Sequence, residues 1–138
     1  MEIPADRAFP RAVLQAASPH LFVADIKAAC DFFQKLGFLT VFTYGEPPFY
    51  AHVRRDGALL ILRCVDGPVF EGDIRERELL LSAEIGVRTA GEIKHLFAEF
   101  QSAGVAFKQT LERQPWGAAN FIIKDPDGNL LLFAGPAD

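Results

Sequence analysis

The sequence predicts an α+β fold built from two tandem βαβββ modules, and three observations carry that prediction. The first is the stretch from Pro115 to Phe133, PWGAANFIIKDPDGNLLLF, in which two apolar runs flank an Asp-Pro-Asp-Gly-Asn turn. Asp and Pro preset such a turn, Gly128 supplies the positive φ that other residues resist, and the β-branched and aromatic flanks form a strand ladder. The second is a repeat of the same signal: Asp56-Gly57-Ala58-Leu59-Leu60-Ile61-Leu62 matches Asp127-Gly128-Asn129-Leu130-Leu131-Leu132-Phe133 at a constant offset of 71. The third is a further match, in which Ile26-Lys27, Phe33-Gln34, Gly37 and Phe38 recur as Ile93-Lys94, Phe100-Gln101, Gly104 and Val105 at an offset of 67. Two matches in the same order describe one half-domain written twice.

Taken in order, residues 1–17 hold two prolines and mixed charge, and are expected as an arm, either extended or with a short helix over Arg11 to Ala17. The first module spans 18–66. Ser18 to Ala24 is its apolar first strand, and Asp25 is an N-cap whose carboxylate accepts from free amides of the next turn. A helix over Ile26 to Leu36 follows, with Ile26, Ala29, Cys30, Phe33 and Leu36 on one stripe and Gly37 as its stop. Three strands complete the module, over Phe38 to Tyr44, Phe49 to Arg55 and Ala58 to Val65. Residues 67–78, rich in Gly and charge, are the expected linker. The second module, 79–138, opens with a strand over Leu79 to Val87. Thr89 and Glu92 have capping-box spacing for a helix over Ala90 to Ala103, which buries Ile93, Leu96, Phe97 and Phe100. A strand over Val105 to Gln109 and the hairpin from Pro115 follow.

At 138 residues and 15.2 kDa the chain suits one compact domain, or two small halves sharing a core. Half of its residues are hydrophobic, which excludes a disordered chain. A net charge of −4 with scattered Lys and Arg argues against a nucleic-acid surface, because phosphate binding needs clustered cations. Cys30 and Cys64 are isolated and lack CxxC spacing, as expected of reduced thiols in a cytosolic protein. Glu2, Asp6, Arg7 and Arg11 interrupt the N-terminus, so no secretory signal is expected, and no stretch is long enough to span a bilayer. Cytoplasmic localisation follows as an expectation. Neither a GxSxG elbow nor a Gly-rich phosphate loop is present. Thirteen Phe predict an aromatic interior, part of which lines a pocket.

The residues Leu21-Phe22-Val23-Ala24-Asp25, Asp31-Phe32-Phe33, Leu36-Gly37-Phe38, Pro115-Trp116-Gly117 and Asp125 to Phe133 resemble the vicinal oxygen chelate (glyoxalase/bleomycin resistance/extradiol dioxygenase) superfamily over roughly Pro19 to Phe133. The resemblance implies two βαβββ modules forming a curled sheet around a cleft, and a homodimer in which modules can pair across chains. Its enzymes hold a divalent metal with His or Glu from the first and last strands of each module. The matching positions here are Ser18, Ile61, Ser82 and Leu132. Ile and Leu have no donor atom, and a neutral Ser hydroxyl binds weakly beside imidazole or carboxylate. No metal and no cofactor are therefore expected, and the chain resembles the metal-free branch that includes bleomycin resistance proteins.

The expected function is binding of a small aromatic or amphipathic molecule, such as an antibiotic, by stacking and burial in the cleft. Trp116 is the leading ligand-binding candidate, with Phe42, Phe49 and Tyr50 as a rim around the Glu46-Pro47-Pro48 loop. His20 and Glu84 lie two residues beyond Ser18 and Ser82, so the period of two places them on the inward faces, as alternation from Ile61 places Arg63. The alternative is a metal-dependent lyase or dioxygenase of the same superfamily using His20, Glu84 and His52. Glu84 and Glu46 suit a cationic ligand and Arg63 an anionic one. The sequence does not choose between them.

Overall fold

The computed structural model describes residues 10–138. The arm predicted over 1–17 lies partly outside them, and from Pro10 to Pro19 the chain forms neither helix nor strand. The helix considered over Arg11 to Ala17 does not form: Val13 and Leu14 stay exposed, so no tertiary contact offsets the cost of nucleating so short a segment.

Module one runs β1 (His20–Val23), α1 (Ile26–Lys35), β2 (Leu39–Tyr44), β3 (Tyr50–Arg55) and β4 (Ala58–Cys64). The linker holds α2 (Ile74–Glu78), and module two follows with β5 (Ala83–Gly86), α3 (Ala90–Ser102), β6 (Phe107–Arg113), β7 (Ala118–Lys124) and β8 (Leu130–Pro136). The strands form two four-stranded mixed sheets of like topology, β1-β4-β3-β2 and β5-β8-β7-β6. In each, the first strand lies parallel to the last and the other pairings are antiparallel.

Local chemistry places the helices as the sequence predicts. Asp25 Oδ1 accepts from Ala28 N, and Thr89 Oγ1 accepts from Glu92 N while donating to Glu92 Oε1. Gly37 and Gly104, both at positive φ, end the helices. Each helix lays its apolar stripe on one face of its sheet, and both modules feed a single core. Leu21, Val23, Phe33, Phe38, Val53 and Leu62 belong to module one; Ile93, Phe100, Phe121, Ile123 and Phe133 belong to module two. Phe121 stacks on Phe133 with ring centroids 5.3 Å apart, and Phe100 meets both edge-on.

The Asp-Pro-Asp-Gly-Asn turn does more than close a hairpin. Asp127 Oδ1 accepts from Ala24 N at 3.0 Å, and Asn129 Nδ2 donates to Phe22 O at 2.9 Å, so the turn of module two ties down the end of β1 in module one. Asn129 is buried with its polar atoms engaged: Nδ2 also donates to Asp125 Oδ2, and Oδ1 accepts from Ser82 Oγ. Burial pushes the Asp125 carboxyl above its ordinary range, opposed by hydrogen bonds from Asn129.

The linker region has structure of its own. Residues 74–78 form α2, and Arg75 Nη1 donates to Leu80 O and Ser82 Oγ. The Arg75 guanidinium sits 3.4 Å over the Phe70 ring, and Phe70 in turn packs beside Gly128 of the turn.

Candidate functional site

In β1 to β4 the residues with buried side chains on the helix side, Leu21, Val23, Ala51, Val53, Leu60 and Leu62, alternate with a second set on the opposite face. Register aligns that second set in rows. His20, Ile61, His52 and Phe42 form one row across the sheet; Phe22, Arg63, Tyr50 and Tyr44 form the next. The face is an aromatic platform. Phe42 lies 5.3 Å from His52 and 6.2 Å from Tyr50 between ring centroids, and Tyr50 lies 5.2 Å from His52. His52 Nε2 and Tyr50 Oη are hydrogen-bonded at 3.0 Å, and the Arg63 guanidinium sits 5.8 Å from the Phe22 ring centroid.

Little of this platform is covered. Phe42 is 47% exposed, Tyr44 63% and the neighbouring Phe49 49%, values foreign to a core and typical of a binding surface. Its charge is one-sided: Arg54 and Arg63 stand on this face, and β1 to β4 contain neither Asp nor Glu. The equivalent rows of module two differ. Glu84, Leu132, Ile122 and Gln109 form the first, and Gly86, Ala134, Asn120 and Glu112 the second. Asn120 is buried there, its Oδ1 accepting from Gln109 Nε2 at 2.8 Å and Gln114 Nε2 at 3.1 Å.

The structure thus brings together His20, Phe42, His52 and Arg63, with Phe49 packed on Tyr44 beside them at 5.7 Å. It separates the other two candidates. Glu84 lies on the other sheet, at the lining of a hollow that also includes Glu92 and His95. Trp116 stands in the β6–β7 turn, 73% exposed and paired with no other ring among the described residues. Phe22, Tyr44 and Arg54 belong to the platform and were not singled out from sequence; stepping by two from His20, Phe42 and His52 would have found them.

The ligand positions implied for a family metal do not fit one. Ile61 and Leu132 sit centrally in their rows beside His20 and Glu84, and Ser82 Oγ is engaged by Arg75 and Asn129. Among the described residues no group of three His, Cys, Asp or Glu side chains is placed to hold a metal ion. His20, His52 and Glu84 therefore do not assemble a cation site within one chain.

Each of the two like modules has its first strand beside its last, and this architecture can be set against known folds. Residues 85–133 match the family model described as the Glyoxalase/Bleomycin resistance protein/Dioxygenase superfamily. The fold of the chain is that of several solved structures. A glyoxalase/bleomycin resistance protein/dioxygenase from Alicyclobacillus acidocaldarius has a TM-score of 0.74 to this chain at 22% identity, covering 90% of this chain and 92% of its own. A bleomycin resistance determinant encoded on the transposon Tn5 has a TM-score of 0.68 at 21% identity, covering 89% and 98%. A bleomycin-binding protein in complex with bleomycin has a TM-score of 0.65 at 21% identity, covering 88% and 98%. No curated protein matches the chain.

Proposed function

We propose that the protein binds a small aromatic molecule on the module-one platform, without a metal of the family type, and that two chains pair so that module two of one faces module one of the other. The carrying observation is the pair of adjacent rows that hold Phe42 and His52, and Phe22 and Tyr50, with Phe42 and Phe22 exposed, which offer stacking area that no other part of the described chain covers. Pairing of chains is supported by the same exposure, since a ligand held on one open sheet would keep half its surface in water. Trp116, exposed and without a partner ring, is then free to wall the cleft of a neighbouring chain.

The charge of β1 to β4 favours an anionic ligand over a cationic one. Arg63 and Arg54 stand on or beside the platform with no carboxylate in those strands. The relative that carries bleomycin supports sequestration as the biological role, in which a compound is held without being altered.

The test is calorimetric titration of the purified protein with 2-naphthoate and with 2-naphthylmethylamine, alongside sedimentation to count chains. Tighter binding of the carboxylate is expected, weakened about tenfold by Arg63→Glu, together with a dimer. Preference for the amine, or indifference to Arg63→Glu and His52→Ala alike, would remove the platform as the site. A stoichiometric divalent metal lost on His20→Ala or Glu84→Ala would overturn the metal-free reading.

A further inference from the structure

The two modules meet each other through equivalent junctions, and these are filled differently. In module two, five residues connect Lys124 to Leu130, and this long turn reaches the β1–α1 junction of module one through Asp127 and Asn129. In module one the register pairs Arg55 with Ala58, so the turn is only Asp56-Gly57. It reaches nothing comparable in module two. Asp56 is nearly fully exposed, and Gly57 would meet no atom within 4 Å if given a Cβ.

The shortfall leaves a hollow of about 520 Å³ between the short turn, the start of β4, the edge strand β5 and α3. The corresponding place beside the long turn keeps a smaller one, about 310 Å³, in which Phe32 occupies the position that Glu99 holds in the repeat and Pro126 that of Arg55. The larger hollow has an apolar floor of Phe38, Leu60, Leu96, Phe100 and Phe133, all buried core side chains. Its lining also includes Asp56, Glu84, Glu92 and Glu99 against a single guanidinium, Arg55. Arg55 is already committed, donating through Nη1 to Glu99 Oε2 at 2.7 Å and to Leu36 O at 2.8 Å and through Nη2 to Glu99 Oε1 at 3.0 Å.

We infer that this hollow is a second small-molecule site, separate from the platform, which takes a cationic amphipath: an aromatic or aliphatic body on the phenylalanine floor and an amine toward Asp56 and Glu92. The volume falls within the range of small-ligand pockets, roughly 300 to 1,000 Å³. An apolar floor with a few charges of one sign at its lining selects orientation and charge together. The inference stands whether or not the platform binds its own ligand.

The test uses the full-length protein, with 4-phenylbutylamine and 4-phenylbutyrate as probes and backbone amide resonances as the readout. The amine is expected to shift Gly57, Gly86, Glu92 and His95, and the carboxylate to leave them in place. Asp56→Asn with Glu92→Gln keeps both the turn and the capping box, since Asn tolerates the left-handed φ and Gln serves at the third helical position. That pair is expected to weaken the amine about tenfold. Replacing Asp56-Gly57 by the Asp-Pro-Asp-Gly-Asn sequence of module two should fill the hollow and abolish the shifts. If that graft fails to fold, the double substitution decides. Amine-induced shifts that fall elsewhere, fail to appear, or survive the double substitution at full strength would overturn the site.

Discussion

Module one and module two are two copies of one template that have divided its tasks. Module two has the long turn, the stacked Phe121 and Phe133, and an opposite face closed by the Gln109, Asn120 and Gln114 cluster. Module one has a two-residue turn, an uncovered row of aromatic and imidazole rings, and a strand set without carboxylates. The difference teaches that a repeated scaffold can hold its core constant while turn length and the outward set of each strand are free to diverge. Helix stripes and inward strand residues must fit a shared interior; outward residues meet only solvent, ligand or another chain.

The sharpest way to break the comparison is at Asn129, whose equivalent in module one is Ala58. Asn129→Ala removes the donor to buried Asp125 Oδ2 and to part-buried Phe22 O, and should lower unfolding free energy by about 2 to 4 kcal/mol in urea titration. A loss below half of that would mean the turn closes a hairpin and does not clasp the modules.

Gly135 comes next. A Cβ there would lie 2.8 Å from Val87 Cγ2 and 3.1 Å from Ile93 Cβ, whereas the matching residue of β4, Cys64, has room to donate its thiol to Ala24 O. Gly135→Ala should cost about 1 to 3 kcal/mol by overpacking, with Cys64→Ala costing less. Equal costs would show that the two junctions are packed alike.

Arg55 is the side of the comparison where a single charged side chain spans the modules. It is half-buried, and the Glu99 hydrogen bond holds its pKa above the ordinary guanidinium value. Arg55→Met should cost about 1 kcal/mol, clearly less than Asn129→Ala, because a solvent-screened ion pair contributes little. The reverse order of the two would invert the account of which junction holds the modules.

The smallest effect concerns the linker helix. Glu76 bonds Lys108 Nζ at 2.7 Å and also Lys124, and these hold its pKa down to about 2 from 4.5. A depressed carboxylate contributes stability above its unfolded pKa and loses it as pH falls through the folded value. The stability gap between the protein and Glu76→Gln should therefore be constant near neutrality and close between about pH 4.5 and 2, read as urea midpoints across that range. A pH-independent gap would detach α2 from module two.

Much of the fold was legible because its signals are local. Caps at Asp25 and Thr89, stops at Gly37 and Gly104, and the Asp-Gly turns depend on a few neighbouring residues, and the repeat confirmed each one twice. The linker was less legible, since Arg75 gains its meaning from Ser82 and the ring of Phe70 only once the chain folds back. Of the candidate residues, alternation placed His20 and Arg63 by their spacing from Ser18 and Ile61, and register sets His52 in the same row as His20. Glu84 was assigned to the first strand of module two, but alternation did not reveal the hollow that this strand borders.

By itself the sequence determined the element order, the duplication and the absence of metal donors at the implied ligand positions, because each of these follows from residue type and spacing along the chain. Only the tertiary structure decided that Asn129 joins two modules, that Trp116 stands apart from the other rings, and that a turn three residues shorter leaves a hollow beneath α3. Those outcomes depend on which surfaces meet across long sequence separations, and neither period nor propensity carries that information.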